Sequence, residues 1–363
     1  MERQLQRLIN HLKIQNSILF LLLTLQIISC QEKDKTPEFH IEISHPNNDL
    51  NITPVQDKIF TLEGQDAHLP YGSTSGEWGY SASGWTEEFG TPIGADIIYF
   101  SRYEDTFYHL KANFSEDQIK DYMERAYAQT GSTTDDKEPL QEFKKLGRYE
   151  KFSSATNPYN SFSDLVFGFA PKGMVVVWLN FGKVRIELDR FQAEVIKDDQ
   201  ELEEKFFSKL SVTREEMRKN RFLDISPQLW ENYRTKYMYK PVIMSTNKNL
   251  RLFEMNFRYY NAEQESMFRP WINNIAAKSR AIPKELSFIW ETGKDQQFVG
   301  RAYFSWEKTN EAFKKAGNNS RLEFRIAPDN SNFEIFLNNE PLKADSTRIF
   351  KTEVEYRDSY NDY

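Results

Sequence analysis

Short runs in which apolar and polar residues alternate recur through most of the chain. In FHIEI, Phe39, Ile41 and Ile43 occupy every second position, the period of a strand with one buried face. After Pro92, ADIIYFSRYEDTFYHLKANF predicts two strands joined by a turn at Arg102–Asp105. Ser115-Glu116-Asp117 then opens an amphipathic helix, IKDYMERAYAQ. Ser115 is placed to cap its first turn, and the acids there face the positive end of the helix dipole. LVFGFAPKGMVVVWLN predicts a hairpin turning at Pro171-Lys172-Gly173, and VRIELDRFQAEVI continues the sheet. Residues 197–236 change character. KDDQELEEKFFSKL and TREEMRKNRFL carry charges at helical spacing, and Pro227 stands near a third helix start. From Pro241 the aromatic, strand-rich pattern returns.

The order of elements repeats. Residues 91–126 lie over residues 282–316 with one gap, pairing Pro92 with Pro283, Phe114-Ser115 with Phe304-Ser305, and Ala126 with Ala316. Farther on, Ala170-Pro171 meets Ala327-Pro328, and Leu179-Asn180 meets Leu337-Asn338. The expected fold class is α+β, as two tandem related units of mainly antiparallel sheet, each with a packed helix. The second unit lacks the Gly/Ser/Trp-rich loop of residues 71–90. The expected boundaries are 39–196 for the first unit, 197–240 for a helical connector and 241–363 for the second unit. No regular βαβ alternation is present, which argues against a parallel, doubly wound sheet.

The N-terminal pattern is of another kind. Arg3, Arg7 and Lys13 precede an apolar run, Ile18–Ile28, broken only by Thr24 and Gln26. A membrane-spanning helix needs roughly 20 apolar residues, so this run is read as the core of a signal peptide over residues 1–29. It ends in Ile27-Ile28-Ser29-Cys30, which resembles a lipobox: branched apolar, small, then a cysteine whose thiol accepts diacylglycerol. Cys30 is the expected lipid-attachment residue, with palmitate as an expected acyl group, and residues 30–38 are the expected lipidated tether. The tether sequence QEKDKTPE resembles the surface-export tags of Bacteroidota lipoproteins. Gln31 stands where an inner-membrane retention signal would have Asp. The expected location is therefore the outer membrane of a cell envelope, on either its periplasmic or its surface face. Cys30 is the only cysteine in the chain, so no disulfide, thiolate metal cluster or cysteine nucleophile is available to the folded part.

Charge narrows the partners. The net charge is −7, and residues 1–29 hold three basic groups against one acidic, leaving −9 on the remainder. Phosphate binding needs a basic footprint, so a nucleic-acid partner is excluded. An aromatic content of 15% supports a packed, strand-rich core.

PIGADIIYFSRYEDTFY, then IKDYM, then FGFAPKGMVVVWL and IELDRFQAEV, resemble the domain of unknown function 2931, a family of bacterial lipoproteins and lipoprotein-like proteins. GEWGYSASGW and PQLWENYRTKYMYKP stand where that family carries similar elements. The resemblance covers roughly residues 39–240 and leaves the C-terminal unit outside it. It implies kinship without chemistry. Because some members occur beside secreted antibacterial effectors, it also implies an immunity-type inhibitor of a toxin.

Catalytic patterns are missing. His40, His45, His68 and His109 show no zinc-ligand spacing, and neither a nucleophile elbow nor a phosphate or dinucleotide loop is present. Asp135-Asp136 reads as a solvated loop and Glu104-Asp105 as turn chemistry. Trp78, Tyr80 and Trp85, on the Gly/Ser-rich loop, form the candidate binding surface, since each ring offers large area at low entropy cost. The competing reading has Trp78 and Tyr80 facing one side of a glycine-kinked strand and filling the core. The expected function is that of a non-enzymatic, lipid-anchored protein that binds a protein partner. The alternatives are inhibition of a toxin, or binding of a glycan or envelope polymer through the aromatic loop. No metal or cofactor is expected.

Overall fold

The structure, a computed structural model, describes residues 36–71, 76–81, 84–130, 139–147, 150–152, 157–221 and 223–361. Cys30 and Asp135-Asp136 lie outside the described residues. The described chain is sheet-dominated α+β, with five α-helices.

Its first half runs β1 (Glu38–Ser44), β2 (Ile52–Thr61), β3 (Asp66–Ala67), β4 (Thr86–Phe89), β5 (Pro92–Ser101), β6 (Thr106–Asn113), α1 (Glu116–Met123), β7 (Arg125–Ala128), β8 (Phe143–Lys145), β9 (Tyr159–Ser161), β10 (Asp164–Phe169), β11 (Met174–Phe181), β12 (Val184–Gln192) and β13 (Glu194–Val195). Two sheets face each other, β4-β1-β10-β11-β12 and β13-β6-β5-β2-β3. Phe39, Ile41 and Ile43 point between them, as their alternation predicts. β11 is buried at every position because both its faces are covered. Val175, Val177, Leu179 and Phe181 enter the core between the sheets, whereas Met174, Val176 and Trp178 enter a second cluster on the outer face.

α2 (Gln200–Phe207), α3 (Arg214–Arg221) and α4 (Gln228–Tyr233) occupy the charged stretch. Leu202 and Phe206 of α2 pack on Phe100 and Phe107, and Trp230 of α4 joins the outer-face cluster of β11.

The second half runs β14 (Lys236–Ser245), β15 (Arg251–Tyr259), β16 (Gln264–Phe268), β17 (Lys278–Ala281), β18 (Pro283–Glu291), β19 (Gln297–Tyr303), α5 (Trp306–Ala316), β20 (Ser320–Ile326), β21 (Phe333–Leu337), β22 (Glu340–Pro341) and β23 (Ser346–Lys351). Again two layers enclose a core, β17-β14-β20-β21-β22 and β23-β19-β18-β15-β16. Element by element, the pairing repeats the first half. β1 pairs parallel with β10 and antiparallel with β4, just as β14 pairs with β20 and β17. β5 lies between β2 and β6 as β18 lies between β15 and β19, and β13 closes on β6 as β23 closes on β19. Ser115 and Ser305 cap equivalent helices, each accepting a hydrogen bond from the backbone N–H three residues on.

One register contact, Arg185 opposite Gln264, joins β12 to β16 and makes a ten-stranded sheet across the two halves. The sheets are mainly antiparallel, as expected, with two parallel strand pairs, each bridging the long connection that parallel pairing requires. Two details depart from the sequence reading. α1 ends at Met123, and Ala126 lies in strand β7 instead of a helix. β7, β8 and β9 form a small extra sheet with no counterpart in the second half.

Candidate functional site

The segment 76–81 carries two of the three candidate aromatic residues, and it is not a strand. Trp78 is only 7% exposed. Its ring stands edge-on to Trp178 at 5.0 Å and lies 6.5 Å from Trp230. The Trp178 indole N–H donates to the carbonyl of Asn261 at 3.1 Å, tying this cluster to the second half. Gly79 makes the close approach that follows. Its φ is +81°, and a Cβ there would stand 2.1 Å from the Cβ of Ala262. The Gly79 N–H donates to Ser44 Oγ at 2.8 Å, holding the segment against the end of β1.

This placement carries Tyr80 between two arginines from distant strands. The guanidinium carbons of Arg185 and Arg258 lie 4.1 and 4.5 Å from its ring centre. Its hydroxyl accepts hydrogen bonds from Arg258 Nε at 2.8 Å and from the Gln264 side-chain amide. Glu77 pairs with Arg258 at 2.6 Å and with Lys284, and Glu285 reaches Arg258 at 3.1 Å. Burial draws Lys284 below its ordinary pKa. Glu77, Tyr80, Arg258 and Lys284, with Trp78, Trp230, Tyr233 and Tyr260, line a cleft of about 240 Å³. Trp230 and Tyr233 reach it from α4, and Arg258, Tyr260 and Lys284 from the second half.

Arg185 is the most constrained group nearby. It is 5% exposed, donates from Nε to Asn180 Oδ1 at 2.6 Å, and its Nη1 has no hydrogen-bond partner among the described residues. Burial lowers its pKa against the opposing pull of Tyr80, Glu42 and Asp164. The Tyr80 ring therefore covers a cation that is almost fully buried.

A second cavity, about 220 Å³, lies on the β12–β16 joint and is lined by Arg185, Gln264, Glu265, Lys278 and Arg280 among others. Arg280 grips Glu265 with two hydrogen bonds, 2.7 and 3.1 Å, and Lys278 approaches to 2.6 Å. Burial alone would raise the Glu265 carboxyl, but Lys278 and Arg280 outweigh it and hold the pKa down at about 2.

Trp85 stands apart from both cavities. It is 64% exposed, precedes β4, and its ring lies 6.0 Å from that of His40. The structure thus brings Trp78 and Tyr80 to one cleft, the first as core and the second as a ring under two cations, and leaves Trp85 on the surface.

The other expectations resolve into packing. Glu104 accepts from Ser101 Oγ and the Lys172 N–H, and Asp105, at φ +50°, accepts from Arg214. His40, His68 and His109 face Asp164, Asp57 and Asp96, and His45 accepts from the Ile52 N–H. Among the described residues, no group of three or more His, Cys, Asp or Glu side chains is placed to hold a metal ion, and no helix is long and apolar enough to cross a membrane. Sequence reasoning missed Arg185, Arg258 and Arg280. Their one signal is a cation set inside an apolar strand run, as in VRIEL and MNFRYY.

A family described as a protein of unknown function, DUF2931, matches residues 49–233, just over half of the chain, and the chain belongs to this family. That segment contains Trp78, Tyr80, Trp178, Arg185 and Trp230, whereas Arg258, Tyr260 and Lys284 lie beyond it. No curated protein matches the chain. No solved structure matches it either.

Proposed function

We propose that this is a lipid-anchored protein of the bacterial outer membrane whose folded body binds a protein partner without transforming it. Residues 1–29 serve as the signal peptide and Cys30 carries the lipid. The body arose by tandem duplication of one α+β unit, a reading supported by the recurrence of the strand pairings in both main layers and of the serine helix cap. The observation that carries the binding role is the cleft itself. Its walls are Trp, Tyr and Arg, the residue types that dominate the energetics of protein interfaces. Its volume, about 240 Å³, suits one inserted side chain. Glu77, Arg258 and Lys284 offer both signs of charge at its rim. A glycan-stacking role draws less support, because only Trp85 of the three rings is openly exposed. In its sharper form the partner is a toxin that the protein neutralises.

Leu229 lies on the lip of the cleft and is 41% exposed. A photo-crosslinking residue at that position, in producing cells, is expected to capture one discrete protein. Capture should fall at least tenfold with Tyr260→Ala or Lys284→Ala. An adduct unaffected by both substitutions, or no adduct at all, refutes the proposal. For the sharper form, co-expression with neighbouring effectors should restore growth.

A further inference from the structure

Strand β4 forms one edge of the ten-stranded sheet, and its outward face is aromatic. Trp85, Glu87 and Phe89 recur with period two and are all exposed, Trp85 at 64% and Phe89 at 48%. Tyr71, fully exposed, ends a stretch held to the same strand, where Thr86 Oγ1 donates to the His68 carbonyl and the His68 N–H donates to Glu88. Exposed aromatics grouped on one edge mark a contact surface.

The path of the chain identifies what meets it. β1 begins at Glu38, and Glu38 is the register partner of Phe89. From Cys30 to Glu38 the chain spans at most about 28 Å when fully extended. The opposite edge of the sheet, β23, lies nine strand spacings away, on the order of 40 Å. An anchor at Cys30 therefore limits the start of β1, beside β4, to within about 28 Å of the bilayer, a limit that does not apply to β23. Tryptophan and other aromatic rings favour the boundary between headgroups and acyl chains, where an apolar body sits beside a wet, polar surround. Glu87 and Glu88 disfavour an anionic surface, so the matching surface is zwitterionic.

We propose that Trp85 and Phe89, with Tyr71, form a second, non-covalent contact with a zwitterionic lipid surface, fixing the orientation of the tethered body. The proposal rests on the reading of Cys30 as the lipid-attachment residue.

The test uses the full lipidated chain in phosphatidylcholine/phosphatidylethanolamine vesicles. Cys30 is the only cysteine and its sulfur is consumed by the lipid, so Phe89→Cys provides a unique thiol for an environment-sensitive fluorophore. Phe350→Cys, on β23 and 44% exposed in the native residue, is the reference. The label at position 89 is expected to shift to the blue. Headgroup-depth spin-labelled lipids should quench it at least threefold more than the label at 350, and Trp85→Ala should reduce that ratio. Equal quenching at both positions in protein that floats with the vesicles overturns this proposal alone. Protection of position 89 from aqueous iodide without lipid quenching also overturns it, because a protein, such as a second copy, then covers the edge. Failure to float overturns both this proposal and the anchor reading.

Discussion

Replacing Glu265 by Gln leaves the shape of the β12–β16 joint almost unchanged but removes its central charge. Arg280 is 3% exposed and would keep only its backbone acceptors, chiefly the Tyr239 carbonyl at 2.6 Å. Lys278 would keep Glu142 at 2.8 Å. Removing one partner of a buried pair strands the other, at about 3–5 kcal/mol. Titration gives a second route to the magnitude. The carboxyl falls from an ordinary 4.5 to about 2 on folding, which amounts to on the order of 3 kcal/mol. The two routes agree. The expected result is a urea midpoint lowered by about 1 M at pH 7 with an unchanged slope. The sign with pH follows from the depressed value. The contribution is fully present above pH 4.5 and is lost as pH falls toward 2, so wild type and Glu265→Gln should converge over that window. Unfolding of the folded body followed by near-ultraviolet circular dichroism between pH 7 and pH 2.5 measures both effects. A loss below about 1 kcal/mol, or a difference that stays constant with pH, refutes the reasoning.

Trp78→Ala should cost about 3–5 kcal/mol by emptying the space against Trp178 and Trp230, whereas Trp85→Ala should stay within about 0.5 kcal/mol; denaturant unfolding separates them. Gly79→Ala should lower the melting temperature through its positive φ and the contact with Ala262, by about 2 kcal/mol or more, and Ala262→Gly should recover part of the loss by relieving the contact. Burial, reinforced by Tyr233, pushes Tyr260 up to about 12. Its phenol therefore contributes stability below pH 10 that is lost as pH rises from 10 toward 12. Absorbance at 295 nm should show a phenol fraction that ionises only with unfolding.

Local patterns were readable wherever one face of an element decides its fate. The alternation Phe39, Ile41, Ile43 marks β1, and Ser115 caps α1 as its neighbours suggest. The Pro171-Lys172-Gly173 turn closes β10 on β11, with Lys172 at φ +58°. The spacing extends α1 too far because Arg125–Ala128 is compatible with helix, while pairing with β8 and β9 draws it into a strand. The cleft was hardly legible. Tyr80 acquires its surroundings from Arg185 and Arg258, which stand more than 100 residues away and which no periodicity links to it. Trp78 illustrates the same limit. A tryptophan on a Gly/Ser loop looks exposed until a second half of the chain, by way of Asn261 and Ala262, closes over it.

The joint between β12 and β16 has the symmetry of a stacking step. One half offers its last long strand, and the other receives it on the equivalent of β3. Repeated between molecules, such a head-to-tail step would add copy after copy, as a ring or an open string. The two edges that would continue it are β22 and β3, and each is two residues long. Pro341 removes a backbone donor from one, and Asp66 puts an exposed charge on the other. The chain thus uses the step once internally and leaves only two short, blunted edges from which it could be continued.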